Sequence, residues 1–166
     1  MEIIRLNSLD PQGFIRERDA QSNVKLTSWS PEDLGNIDLI KTSQEEHVYL
    51  TGESDPLRSL EQFSRKGVET SVITMGEEGS LVYHDGEYYK VPVYPTKTVD
   101  TTGAGDSFLT AVHDKLASGG SIEWALAYGS AVASGMIETY GPEFSLSRGE
   151  VTRRAEYVLE RIQKRI

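Results

Sequence analysis

Apolar and polar positions along this chain switch between two periods, and the switches outline alternating strands and helices. Compact apolar runs at 37–41 and 71–74 predict buried strands, and residues 3–9 predict a further short strand that ends in the turn chemistry of Asp10-Pro11-Gln12-Gly13. Runs at 81–84 and 88–91 flank Asp85-Gly86, a strong hairpin signal. Phe108, Leu109, Val112 and Leu116 share one helical face, so a helix is expected from Gly103. Ser30-Pro31-Glu32-Asp33 combines an N-cap serine, proline at the first helical position and acids in the first turn, predicting a short helix to about Gly35. Ser43-Gln44-Glu45-Glu46 matches a capping box opening a helix to about Leu50, and Ser147 with Glu150 matches another. Further helices are expected from Asp55-Pro56 to Gly67 and from Ser121, while 14–28 reads as a polar loop with room for a strand pair. The alternation, with one inserted hairpin, predicts an α/β layered sheet. Ligands of such sheets gather at the carboxyl ends of the strands, and 43–46, 74–79 and 103–106 all follow predicted strands. One crevice is expected to hold all three.

Composition narrows the function classes. A length of 166 residues suits one domain, 1–166, and 26% charged against 37% hydrophobic residues suits a soluble globular protein. A formal charge of -9 opposes nonspecific binding to nucleic acid or to an anionic membrane. Zero cysteines exclude disulfides, thiolate zinc sites and cysteine nucleophiles. The apolar run near Met1 is too short for a signal peptide, and no stretch approaches a membrane span, so a cytoplasmic location is expected. His47, His84 and His113 share no metal-binding spacing and are expected on surfaces or at strand ends. Arg153, Arg154, Arg161, Lys164 and Arg165 are expected near the end of the last helix, complementing its dipole.

The run Val99-Asp100-Thr101-Thr102-Gly103-Ala104-Gly105-Asp106-Ser107-Phe108 carries the chemistry. It feeds a predicted strand through a glycine turn into a helix, whose first N–H groups and positive dipole end suit a phosphate. Such donors stabilise charge on a transferred phosphoryl group, and Asp106 in the first turn is placed to take a proton from an attacking hydroxyl. By itself Asp106 also reads as a plain complement to the helix dipole. No Gly-x-x-x-x-Gly-Lys exists, so this is not a P-loop.

The full string resembles the signature of the ribokinase-like, or PfkB, carbohydrate kinases, Asp-Thr-x-Gly-Ala-Gly-Asp at a helix start. The resemblance implies that Asp106 is the catalytic base and that Gly103, Ala104 and Gly105 form the anion hole for the γ-phosphate of ATP. Val72-Ile73-Thr74-Met75-Gly76-Glu77-Glu78-Gly79 is similar to the family's second nucleotide segment, which puts Thr74, Gly76 and Gly79 beside ATP. Lys41-Thr42-Ser43-Gln44-Glu45-Glu46 looks like the segment carrying Asn-x-x-Glu. Glu46 falls on the glutamate that helps to place magnesium, and Ser43 stands where the asparagine does. The capping box remains a rival role for Glu46. Small residues from 121 to 140 suit close packing, and by resemblance Ser130 and Ala133 border adenine. Gly141-Pro142-Glu143-Phe144-Ser145 partly resembles a loop that holds a monovalent cation in some relatives, with Asp100, Thr102, Gly141 and Ser145 as ligands.

The resemblance implies a ribokinase-like layered sheet flanked by helices, lacking the usual N-terminal half, its lid and most acceptor contacts. Asp10-Pro11-Gln12-Gly13-Phe14-Ile15-Arg16 matches a mid-chain segment of relatives. The expected activity is ATP-dependent phosphotransfer to a hydroxyl of a sugar, sugar phosphate or nucleoside. The alternative is a noncatalytic nucleotide-binding or interaction module, or an inactive fragment of a longer kinase. A half sheet leaves strand edges to cover, so self-association or a second chain is expected.

Overall fold

The computed structural model describes residues 5–141 and 143–164. In chain order these form β1 (Ser8–Leu9), α1 (Gln12–Ile15), β2 (Arg16–Arg18), β3 (Val24–Leu26), β4 (Leu39–Ser43), α2 (His47–Thr51), α3 (Pro56–Arg65), β5 (Thr70–Thr74), β6 (Ser80–His84), β7 (Glu87–Val91), α4 (Ala104–Ala117), α5 (Ile122–Met136), α6 (Arg148–Leu159) and β8 (Gln163–Lys164). The main sheet has the order β1-β4-β5-β6-β7-β8, and β2 pairs with β3 as a separate ribbon. The first three strands of the main sheet run parallel, and β5 to β8 pair antiparallel.

Alternating side chains on the central strands feed two cores. Leu39, Val72 and Val82 join Phe108, Val112 and Leu126 on one face, under α4, α5 and α6. Ile40 packs with Leu50 and Phe63 on the other, and Ile73 and Leu81 pack with Leu60 of α3. The period of two therefore becomes a three-layer α/β arrangement. Gly129 of α5 lies so near α4 that an added Cβ would stand 2.6 Å from Val112. This close crossing is the packing use expected of the small residues.

The hairpin at Asp85-Gly86, the helices from Asp55, Gly103, Ser121 and Ser147, and the capping box of Ser147 and Glu150 form as the sequence predicts. Other expectations change. No strand closes at Val99, because residues 92–98 run as irregular chain and the Val99 N–H donates to the Ile137 carbonyl at 2.7 Å, so a loop instead of a strand leads into the glycine turn. No helix forms at 30–35, because Asp33 Oδ1 takes the Gly35 N–H at 2.7 Å and the Leu34 N–H goes to the Lys66 carbonyl at 2.9 Å. A local side-chain acceptor has outcompeted the helix. The basic residues do not collect at one helix end. Arg154 is buried within α6 against Glu138 at 2.9 Å, Lys164 lies in the unanticipated edge strand β8, and Arg165 falls outside the described residues. The strand expected at 3–9 is restricted to Ser8–Leu9, with residues 3 and 4 outside the described residues.

His47 departs from expectation too, since it starts α2 fully inside, with Nδ1 2.8 Å from Ser59 Oγ. Burial lowers its pKa from the ordinary 6.5, against the opposing charge of Asp55 and the backbone at Glu53. The unfolded chain then binds the proton more readily than the fold does, so this contribution is full above about pH 6.5 and fades as pH falls through and below that value. Urea midpoints at pH 7.5 and 5.5 are expected to show lower stability at pH 5.5. A His47→Asn variant is expected to lose most of that difference, and an unchanged difference would exclude His47 as its source.

Candidate functional site

β4 and β5 are parallel and in register, so Ser43 and Thr74 end side by side, and the Gln44 N–H donates to the Thr74 carbonyl at 2.9 Å. The chain leaves β5 by a tight turn in which the Met75 N–H donates to the Gly79 carbonyl at 2.8 Å. Gly79 adopts φ 90°, and a Cβ there would stand 2.0 Å from the Val91 carbonyl oxygen. Only glycine lets the turn lie against β7.

The third segment arrives from the opposite side. Gly103 at φ 79° caps α4, and the Ala104 N–H turns back to the Thr101 carbonyl at 3.2 Å. Among the described residues the N–H groups of Gly105 and Asp106 make no backbone hydrogen bond, which leaves them as donors at the positive end of α4. Asp106 is exposed in the first turn.

Two adjoining cavities meet here. A polar one of about 710 Å3 is lined by Ser43, Thr74, Gly76, Gly103, Gly105 and Asp106, with Lys41 and Arg16 also facing it. An apolar one of about 600 Å3 is lined by Gly79, Val93, Tyr94, Ser130, Ala133 and Ile137 among others. They share Thr74, Gly76, Thr101 and Gly105. A planar apolar group in one can therefore extend charged oxygens into the other. Ser130 does not offer a free hydroxyl, because its Oγ donates to the Pro92 carbonyl at 2.9 Å.

Glu46 lies below the polar cavity and is 1% exposed. Its Oε1 accepts from Arg16 at 2.9 Å, a guanidinium that also donates to the Gln12 side-chain oxygen at 2.7 Å, and its Oε2 accepts from the Ser43 N–H at 3.0 Å. Burial opposes its charge, yet the Ser43 backbone and side chain, with Arg16, hold its pKa below the usual 4.5. Only half of the expected capping box forms. The helix begins at His47, with Glu46 at the N-cap position instead of inside the first turn.

Asp100 Oδ1 accepts the Thr102 N–H at 2.9 Å, and the backbone and side chain of Thr102, joined by the Gly141 backbone, lower its pKa. Asp100, Thr102 and Gly141 are thus brought together. Ser145 is exposed further along the same loop and makes no hydrogen bond to them among the described residues. Glu138 braces the far wall. Burial raises its pKa, but Arg154 and Thr96 hold it below the usual value, and the Arg154 guanidinium lies 4.7 Å from the centroid of the cavity-lining Tyr94 ring.

Lys41, Asp10 and Arg16 received no role from sequence reasoning. The available signal was Lys41 itself, a charge directly after the apolar pair Leu39-Ile40 within a buried strand.

The model of the pfkB family carbohydrate kinases matches residues 15–148. The chain is 33% identical over 142 residues to the 2-dehydro-3-deoxygalactonokinase of Haloferax volcanii, covering 79% of this chain and 44% of that protein. Ribokinase of Arabidopsis thaliana complexed with ribose and ATP superposes with a TM-score of 0.66 at 27% identity, over 74% of this chain and 42% of that one. Phosphofructokinase-2 of Escherichia coli in complex with potassium gives 0.66 at 26%, over 75% and 42%. The chain therefore spans less than half the length of each. With most of its residues inside the family match and the glycine turn, strand ends and crevice of a ribokinase-like sheet assembled, this chain belongs to the pfkB family of carbohydrate kinases.

Proposed function

We propose that this chain carries the nucleotide half of an ATP-dependent kinase that phosphorylates an alcohol of a sugar, sugar phosphate or nucleoside. One observation carries the reading: Asp106 and the free Gly105 N–H face one polar cavity that continues into an apolar pocket. The base and ribose occupy the apolar cavity beside Gly79, Ser130 and Ala133, and the phosphates cross Thr74 and Gly76 to reach Gly103, Ala104 and Gly105. The Gly105 N–H is the foremost donor of that anion hole, since the Ala104 N–H is already turned to Thr101. Asp106 accepts the hydroxyl proton as the acceptor oxygen bonds to the γ-phosphorus. The bond to the β–γ bridging oxygen breaks, and ADP leaves with that electron pair.

Magnesium bound to the nucleotide would neutralise phosphate charge. Ser43, Glu45 and Asp106 face the cavity in which those phosphates would lie, whereas both oxygens of Glu46 are engaged. A direct or water-bridged role for Glu46 requires its Arg16 pair to open. Glu46→Gln is expected to raise the magnesium concentration needed for half-maximal nucleotide binding several-fold, and an unchanged requirement would remove Glu46 from the metal. Asp100, Thr102, Gly141 and Ser145 are proposed as the monovalent cation loop, in keeping with the potassium complex of a structural neighbour.

The test is ADP release by the chain with MgATP and a panel of sugars, sugar acids, sugar phosphates and nucleosides. Release that depends on one of these alcohols supports the kinase reading. Saturable ATP binding without release for any of them favours a noncatalytic nucleotide module. That second reading draws on the 44% coverage of the Haloferax kinase. A further copy or a second chain covering the two-residue edge strand β1 belongs with it.

A further inference from the structure

Lys41 lies within β4 at 5% exposure, and its Nζ donates to Asp10 Oδ2 at 2.7 Å. A buried ammonium needs such a partner, and by itself the pair reads as structural. Its surroundings say more. Among the described residues Asp10 is the only hydrogen-bond partner of Nζ, so an ammonium with three donors has capacity left for a ligand. The charge is also placed at the proposed phosphate site. A Cβ on Gly105 would stand 2.6 Å from Nζ, so the ammonium packs directly on the glycine whose free N–H opens α4. Lys41 and Asp106 line the same polar cavity. Asp10 is itself fixed, because its Oδ1 accepts the Gln12 N–H at 3.1 Å while Oδ2 holds the lysine.

We propose that Lys41 is a phosphoryl-binding residue, its ammonium held by Asp10 against Gly105 where it meets an oxygen of the terminal phosphoryl group of ATP. The proposal rests on the nucleotide reading and deepens it. Lys41 takes no part in proton transfer, since the acceptor proton goes to Asp106. Its contribution is a preorganised point charge beside a group whose charge spreads over its oxygens during transfer. Asp10 is a positioning residue. Gly105 is glycine partly because any side chain there would occupy the lysine's place.

The experiment compares magnesium ADP with magnesium β,γ-imido-ATP by calorimetry on the wild-type chain, Lys41→Met and Lys41→Met/Asp10→Asn. The double variant removes both charges, so no unpaired carboxylate remains to unfold the chain. Both variants are expected to bind the imido analogue about 10–100-fold more weakly, the equivalent of one charge-assisted hydrogen bond, with ADP affinity within about twofold of wild type. Equal losses for the two nucleotides, or no loss, in a folded variant would overturn the role of Lys41 alone. A wild-type chain that binds neither nucleotide would overturn the kinase reading and this inference together. If circular dichroism shows both variants unfolded, the Nζ resonance of Lys41 in 15N-labelled wild-type chain decides. A shift with the imido analogue and not with ADP supports the contact, and equal responses refute it.

Discussion

Asp106→Asn lowers acceptor-dependent ADP release by about 10²–10⁴-fold, the usual contribution of a positioned general base. The change keeps the shape of the side chain and removes its ability to take a proton. Asp106 is exposed, and among the described residues its side chain makes no hydrogen bond or ion pair, so the fold and the Gly105 and Asp106 N–H donors are expected to be unaffected. Removing a negative charge beside a polyanionic nucleotide is also expected to leave MgATP affinity unchanged or slightly tighter. The signature is therefore a lost rate with retained binding, read by the release assay and calorimetry on the same preparation. Turnover within tenfold of wild type would remove Asp106 from proton transfer. A parallel loss of nucleotide affinity would give it a binding role instead.

The largest expected effect on stability is at Gly79. Gly79→Ala places a methyl carbon 2.0 Å from the Val91 carbonyl oxygen and 3.1 Å from Pro92 Cα, both backbone atoms that cannot rotate away. The residue also adopts φ 90°, where an L side chain is strained. Relief requires β7 to move off the turn after β5, which opens the core around Val82 and Val91 and the mouth of the apolar cavity. A loss of at least ~3 kcal/mol is expected, comparable with the most damaging core substitutions. Gly76→Ala is the comparison in open space, since its φ of 58° is also positive but nothing lies within 4 Å of the added carbon, and it is expected to cost about 1–2 kcal/mol. Urea denaturation separates the two, and equal losses would show that backbone conformation, not contact with β7, is what glycine supplies at 79.

What could be read in the sequence was local. The 3.6 period from Gly103, the serine caps at 121 and 147 and the Asp85-Gly86 turn each depend on residues a few positions apart, and each formed. The helix expected at 30–35 does not form because a local and a distant contact take its N–H groups: Asp33 accepts from the Gly35 N–H, and the Lys66 carbonyl accepts from the Leu34 N–H. β8 was invisible because two polar residues at a sheet edge carry no period of their own, only a place beside Tyr89 and Lys90. The glycine turn and both strand-end segments were legible as motifs, and the shared cavities bring them together. The Lys41–Asp10 and Arg16–Glu46 pairs were not, being closed by side chains about thirty positions apart in the chain. Ser130 illustrates the limit of motif transfer, since its hydroxyl is spent on the Pro92 carbonyl and only its position is left for a ligand.

The measurement that tests the central claim most directly is calorimetric titration of the chain with MgATP beside a Gly105→Val variant. The valine side chain would displace Lys41 and cover the free N–H at the start of α4, with its Cβ 2.6 Å from Nζ. Saturable binding by the wild type, lost in a variant that still shows the wild-type circular dichroism spectrum, is the predicted result. A folded wild-type chain that takes up no MgATP, or a variant that binds it equally well, would contradict the assignment of this crevice to the nucleotide.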